Sequence, residues 1–180
     1  MSDVQSIPFD TIDGGTATLG DYAGQVALVV NVASKCGLTP QYDALEAIYE
    51  RYHEKGFQVL AFPANNFGAQ EPGTNDEILE FCRSTYSVKF PVFAKISVVG
   101  DDKHPLYEAL TSSIPHASGD PESHRDRLKG FGIAANEDPE VLWNFEKFLI
   151  DREGNVVGRY APNLVPDDPA LIADIEAKLA

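Results

Sequence analysis

Val26-Ala27-Leu28-Val29-Val30 runs directly into Asn31-Val32-Ala33-Ser34-Lys35-Cys36-Gly37-Leu38-Thr39-Pro40. The first five residues are all apolar and mostly β-branched, the pattern of a strand buried on both faces. Beyond Pro40, Leu45, Ile48, Tyr49 and Tyr52 recur at helical spacing. Thr39 suits an N-cap, and Pro40 suits the first helical position. Cys36 is thereby expected on the turn between a buried strand and a helix N-terminus. Backbone N–H groups and the helix dipole favour an anion in such a place, and the thiolate is the reactive form of cysteine. The plain alternative is a buried, inert thiol, the usual state of a free cysteine.

Outward from this stretch, the helix is expected to stop at Gly56, after Arg51, His53 and Lys55. Glycine terminates helices, and basic residues in a last turn suit the dipole. Phe57–Phe62 reads as a second strand, so strand, helix and strand form a right-handed parallel crossover. A long loop, Pro63 to Gly73, precedes a capping box of Thr74 and Glu77, which opens a second helix carrying Ile78, Leu79 and Cys82. On the other side, Ile7–Ile12 and Thr16–Leu19 flank Asp13-Gly14-Gly15 as a hairpin that covers one end of the sheet.

Phe90–Ile96 reads as a short extended segment whose Pro91 places it at an edge. His104–Leu110 is a short helix. From His116 to Glu140 no period survives among Gly, Pro, His and charged residues, and a surface insertion is expected. Trp143–Ile150 and Val156–Tyr160 then form a hairpin about the turn at Asp151–Asn155, and Asp168 with Pro169 opens a last helix. The order is that of a thioredoxin-like α/β fold: a central mixed sheet flanked by helices, with an N-terminal hairpin and a long insertion, in a single domain over residues 1–180. Sites in such sheets lie beyond the carboxyl ends of the parallel strands. Cys36 follows the first of these and Gln70 the second. Trp143 and Asn144 begin an antiparallel strand at the same rim.

The composition narrows the function. The net charge of −14 disfavours nucleic acid and anionic membranes as partners. No apolar run approaches the roughly 20 residues of a membrane helix, so no membrane insertion is expected. The opening Met1-Ser2-Asp3-Val4-Gln5 lacks the marks of a secretory signal, which makes the cytoplasm the expectation. Two cysteines are too few for a disulfide scaffold and direct attention to reactivity. The four histidines, His53, His104, His116 and His124, show no ligand spacing, so neither a metal nor a cofactor is expected. Thr39 stands where a thioredoxin motif starting at Cys36 would place its second cysteine, which argues against simple dithiol exchange.

Three blocks resemble the glutathione peroxidase family: Asn31–Ser34 through Cys36-Gly37 and Thr39; Phe62-Pro63, Asn65 and Phe67-Gly68 with Gln70–Gly73; and Trp143–Phe145 with Lys147–Leu149. The likeness spans nearly the whole chain and is greatest to bacterial members that use cysteine in place of selenocysteine. It implies that Cys36 is the peroxidatic residue, with Gln70, Trp143 and Asn144 completing a catalytic tetrad. It further implies reduction of hydrogen peroxide and organic hydroperoxides, with thioredoxin, or else glutathione, as thiol co-substrate. A redox sensor that passes its oxidation to a partner protein is the alternative. In thioredoxin-using relatives the resolving cysteine falls one residue later, at Arg83 here. Cys82 is therefore a candidate resolving thiol offset by about 100° around its helix, and it could equally pack against Ile78 and Tyr86.

Overall fold

A computed structural model of the chain describes residues 3–180. The buried stretch forms strand β3, Val26–Val32, in which every residue is buried. It pairs in parallel with β4, Phe57–Pro63, in the register Val26↔Phe57 through Val32↔Pro63. On its other side lies β5, Lys147–Ile150, antiparallel, with β6, Val156–Tyr160, antiparallel to β5. The sheet order is β4-β3-β5-β6. Before it comes a small hairpin of β1, Phe9–Asp10, and β2, Thr16–Ala17.

Helices flank the sheet: α1, Gln41–Tyr52; α2, Asn75–Tyr86; α3, Pro105–Ser113; α4, Pro121–Gly130; and α5, Pro169–Leu179. The α1 helix buries Tyr42, Leu45, Ile48 and Tyr52, and the Tyr52 hydroxyl donates to Glu176 of α5 at 2.8 Å. On α3, Tyr107 meets Phe62 of β4 and Phe148 of β5 edge-on. This is the expected thioredoxin-like arrangement, with one continuous apolar core. Among the described residues no helix is long and apolar enough to cross a membrane.

Several local expectations hold. Gly56 ends the first helical stretch at φ +96°, a left-handed conformation that glycine takes without steric cost. Thr74 and Glu77 form both bonds of the capping box. The Phe90–Ile96 segment runs along β4, where Ala61 bridges Val92, and Thr11 of the hairpin bridges Phe93. The hairpin therefore docks at this edge, with Phe9 packed on Phe62 and Phe93.

Three expectations are corrected. Thr39 does not cap α1, which starts at Gln41 with Pro40 in the cap position. Its hydroxyl donates to Ala33 O at 2.8 Å and accepts from Cys36 N at 3.0 Å, so it is spent on the loop before the helix. The strand expected from Trp143 begins only at Lys147. Phe145 takes φ +69°, outside the strand region, and its N–H donates to Asn31 O at 2.7 Å. The segment from His116 to Glu140 is not irregular throughout, because α4 lies inside it. Asp120 caps α4 through Ser123 N, and Pro121 takes its first turn.

Candidate active site

The rim where β3 and β4 end is also where β5 begins, since Val30 pairs with Lys147. Three loops meet there and are stitched by hydrogen bonds, each with a backbone group on at least one side. Lys35 N donates to Gln70 O at 3.0 Å, and Ser34 N donates to the Glu71 carboxylate at 3.1 Å. Asn31, wholly buried at the end of β3, donates through Nδ2 to Trp143 O at 3.1 Å. The loops carrying Cys36, Gln70 and Trp143 are thus fixed to one another independently of the Cys36, Gln70 and Trp143 side chains.

The Cys36 thiol is almost enclosed, at 9% exposure, and its sulfur accepts from Leu38 N at 3.3 Å. The donor at the sulfur is thus a turn amide rather than the first amides of α1. Gln70 is presented by a loop that takes left-handed conformations at Gly68, φ +65°, and Ala69, φ +52°. A β-carbon at Gly68 would come within 3.4 Å of the Gln70 side chain, so this glycine leaves the amide its room. Asn144 Nδ2 donates to Gln70 Oε1 at 2.9 Å. That bond fixes the glutamine carbonyl and leaves its NH2 as the outward donor.

Cys36, Gln70 and Trp143 line one cavity of about 370 Å³. Asn144 is wholly buried and reaches this place through Gln70. The indole of Trp143 rests on Phe67, ring centroids 5.2 Å apart. A second anchor lies just behind it: Glu146 accepts from Leu142 N at 3.0 Å and pairs with buried Arg159 at 2.6 Å, while Arg159 also donates to Ile114 O and Glu140 O. This buried pair clamps the chain on both sides of Trp143.

The rest of the wall comes from the segment expected to be a featureless insertion. Leu128, Phe131 and Ile133 add apolar lining to that of Leu38. His124 and Arg127 of α4 add the only imidazole and the only guanidinium of the cavity. Neither stands among the residues that the sequence marks for the site. Burial, Arg127 and Lys147 together push the His124 imidazole below its ordinary range, so it is neutral at pH 7.

Cys82 lies apart. It is wholly buried on α2, and its thiol donates to the Tyr42 hydroxyl at 3.4 Å. Burial pushes that thiol up to about 11. Both cysteines are free. The cavity at Cys36 does not include Cys82.

Comparison with known proteins gives this rim a family. The glutathione peroxidase family profile matches residues 4–111, more than half of the chain. The thioredoxin/glutathione peroxidase BtuE of Escherichia coli K12 is 47% identical over 170 residues, covering 94% of this chain and 93% of that protein. The hydroperoxy fatty acid reductase gpx1 of a Synechocystis species is 44% identical over 170 residues, covering 94% and 92%. Among solved structures, apo Trgpx superposes with a TM-score of 0.69 at 36% identity, over 98% of this chain and 94% of that one. The profile runs through the loops of Cys36 and Gln70, the relatives extend the match across the third loop of the rim, and the chain therefore belongs to the glutathione peroxidase family, alongside its bacterial cysteine-type members.

Proposed function

We propose that this protein is a thiol-dependent peroxidase that reduces hydrogen peroxide and organic hydroperoxides, with Cys36 as the peroxidatic residue. The observation that carries the reading is the shared cavity: one nearly enclosed thiol faces the same space as the free amide donor of Gln70 and the indole of Trp143. The sulfur attacks one peroxide oxygen, the O–O bond breaks, and the products are a sulfenic acid on Cys36 and water or an alcohol. Charge develops on the departing oxygen, and uncharged donors aimed at it lower the barrier without neutralising the nucleophile. Asn144 serves this step by holding Gln70 in the donating orientation. The apolar wall of Leu38, Leu128, Phe131 and Ile133 suits the carbon skeleton of an organic hydroperoxide, which hydrogen peroxide does not need.

The sulfenic acid is then reduced by an external thiol. Thioredoxin is the proposed reductant, as the name of the Escherichia coli relative supports, with glutathione the other candidate. Attack of its thiolate on the sulfenic sulfur forms a mixed disulfide and releases water, and a second thiol of the reductant frees Cys36. The burial of Cys82 and its high thiol pKa support this external route over an internal disulfide. Two free thiols also fit a reducing compartment such as the cytoplasm.

Steady-state turnover with reductase-coupled thioredoxin, run in parallel with glutathione, tests the proposal. Sustained peroxide consumption with either thiol is expected. A chain that stops after one equivalent is a sensor rather than a turnover enzyme.

A further inference from the structure

The peroxide step moves a proton as well as a pair of electrons. The Cys36 thiol must lose its proton, and the leaving oxygen must gain one. The donors at the rim cannot carry it: the amide of Gln70 and the indole of Trp143 do not titrate, and the Arg127 guanidinium stays charged. The one other side chain of the cavity that can take up and release a proton near neutrality is His124.

Its surroundings fit that task. His124 is 6% exposed, and its Nε2 has no hydrogen-bond partner. A buried polar atom without a partner costs on the order of 1–3 kcal/mol, so a position that keeps one calls for a reason. The residue sits on α4, whose start is fixed by the Asp120 cap and whose middle is fixed by Arg125, which donates to Asn136 O at 3.1 Å. Leu128, one helical turn on, buries the same face. The backbone of α4 therefore places the imidazole in the wall of the nucleophile's cavity.

We propose that His124 is the proton carrier of the peroxide step, taking the proton from the Cys36 thiol and delivering it to the leaving oxygen. This rests on Cys36 being the nucleophile. In balance, the neutral imidazole accepts the thiol proton, the sulfur bonds to one peroxide oxygen, and the O–O bond breaks. The imidazolium then gives its proton to the departing hydroxide or alkoxide. The cysteine ends as sulfenic acid, the peroxide as water or alcohol, and the imidazole is again neutral. The charged groups acting on His124 are Arg127 of its own helix and Lys147 of β5, and Cys36 of the β3–α1 loop lines the same cavity. Arg127 favours the neutral base, and Lys147 adds to this while it is charged, burial having lowered its ammonium to about 7. Lys147 is not itself a rival carrier, because it is wholly buried and its Nζ donates to Pro162 O and Leu164 O, outside the cavity.

The test is rapid-reaction oxidation of the reduced full chain by hydrogen peroxide and by tert-butyl hydroperoxide, monitored across about pH 5 to 9. The wild-type rate should fall on the acid side, below pH 6.5, as His124 takes up a proton. His124→Gln and His124→Ala should each lower the rate at neutral pH by about 100-fold and lose that acid limb. Added imidazole should restore rate to His124→Ala and not to His124→Gln. Variants that oxidise at the wild-type rate with an unchanged profile overturn the proposal. If either variant folds poorly, the wild-type chain decides: a rate that stays flat while NMR shows His124 titrating also overturns it. A wild-type chain whose Cys36 is not oxidised at all would instead refute Cys36 as the nucleophile, a separate outcome.

Discussion

The two cysteines of this chain are both buried and both free, yet they sit in opposite surroundings. Cys36 lies on a loop whose polar groups converge on the place where a substrate would lie: Leu38 N on the sulfur, the Gln70 amide and the Trp143 indole on the same cavity. Cys82 lies on a regular helix within the apolar core, with one weak bond to a tyrosine. Burial alone therefore says little about a thiol. What separates the two is whether the enclosing groups can stabilise negative charge. Around Cys82 they cannot: burial raises its thiol to about 11, and Glu71 adds to the rise.

The sharpest way to break this contrast is to remove the first thiol. Cys36→Ser should abolish peroxide consumption in the coupled assay while leaving the thermal unfolding midpoint close to wild type. Residual turnover near the wild-type level would mean that the contrast has been assigned to the wrong cysteine. Next in size come the donors. Gln70→Ala and Trp143→Phe should each slow oxidation of Cys36 by about 100-fold or more, in line with the 3–4 kcal/mol an oxyanion donor contributes elsewhere. Asn144→Ala should cost less, since it frees the Gln70 amide to rotate without removing a donor. Reductant affinity should change little in all three, because they act on charge that appears only in the transition state. Equal losses for Gln70→Ala and Asn144→Ala would place Asn144 in direct contact with the peroxide.

Much of this rim is legible in the sequence. The continuous apolar run of Val26–Val30 and the capping box at Thr74 define the crossover, and the crossover places the ends of β3 and β4 together. The departures have specific causes. Thr39 and Pro40 form a good start signal, but a hydroxyl can bond only locally, and here the loop amide of Cys36 takes it. Trp143 to Ile150 is rich in aromatic and branched residues like a strand, yet Phe145 takes a left-handed conformation while its N–H bonds the distant Asn31 O, and nothing local in the sequence marks this. The α4 helix escapes a reading by periodicity although Asp120-Pro121 repeats the cue of Asp168-Pro169, which does open a helix as expected. The difference lies in the residues beyond the proline. After Pro169 come Leu171, Ile172 and Ile175, whereas α4 offers only His124 and Leu128 to the interior. A helix that buries one leucine and one histidine lacks an apolar period, and without that period the imidazole of the site has no signal either.

A smaller effect distinguishes the thiols by chemistry alone. At pH 8, three units below a pKa of about 11, about one Cys82 thiol in a thousand is ionised, even before access is considered. Iodoacetamide should therefore modify Cys36 to completion while Cys82 stays intact, as peptide mass analysis of the folded chain would read. Brief exposure to denaturant should abolish the difference. Comparable labelling of both in the native chain would mean that α2 opens readily, and resolution by Cys82 would regain its place.

The smallest effect belongs to Cys82→Ser, and it separates packing from turnover. If an external thiol reduces Cys36, this variant should consume peroxide at the wild-type rate with thioredoxin present, and oxidised wild type should yield no Cys36–Cys82 linked peptide. The change should appear instead in stability at high pH. The folded chain holds the Cys82 proton up to about 11, against an ordinary value of 9.0, so between those values it binds more protons than the unfolded chain. A raised folded pKa gives stability that is complete below pH 9 and lost as the pH climbs toward 11. Two units amount to about 2–3 kcal/mol at most. Urea unfolding across that range should show a decline in wild type that exceeds the decline in Cys82→Ser by roughly this amount, since serine carries no such proton. Parallel curves would mean that the Cys82 thiol ionises as easily inside the fold as outside it. The second cysteine would then be available as a nucleophile after all, and the contrast between the two thiols would rest on position alone.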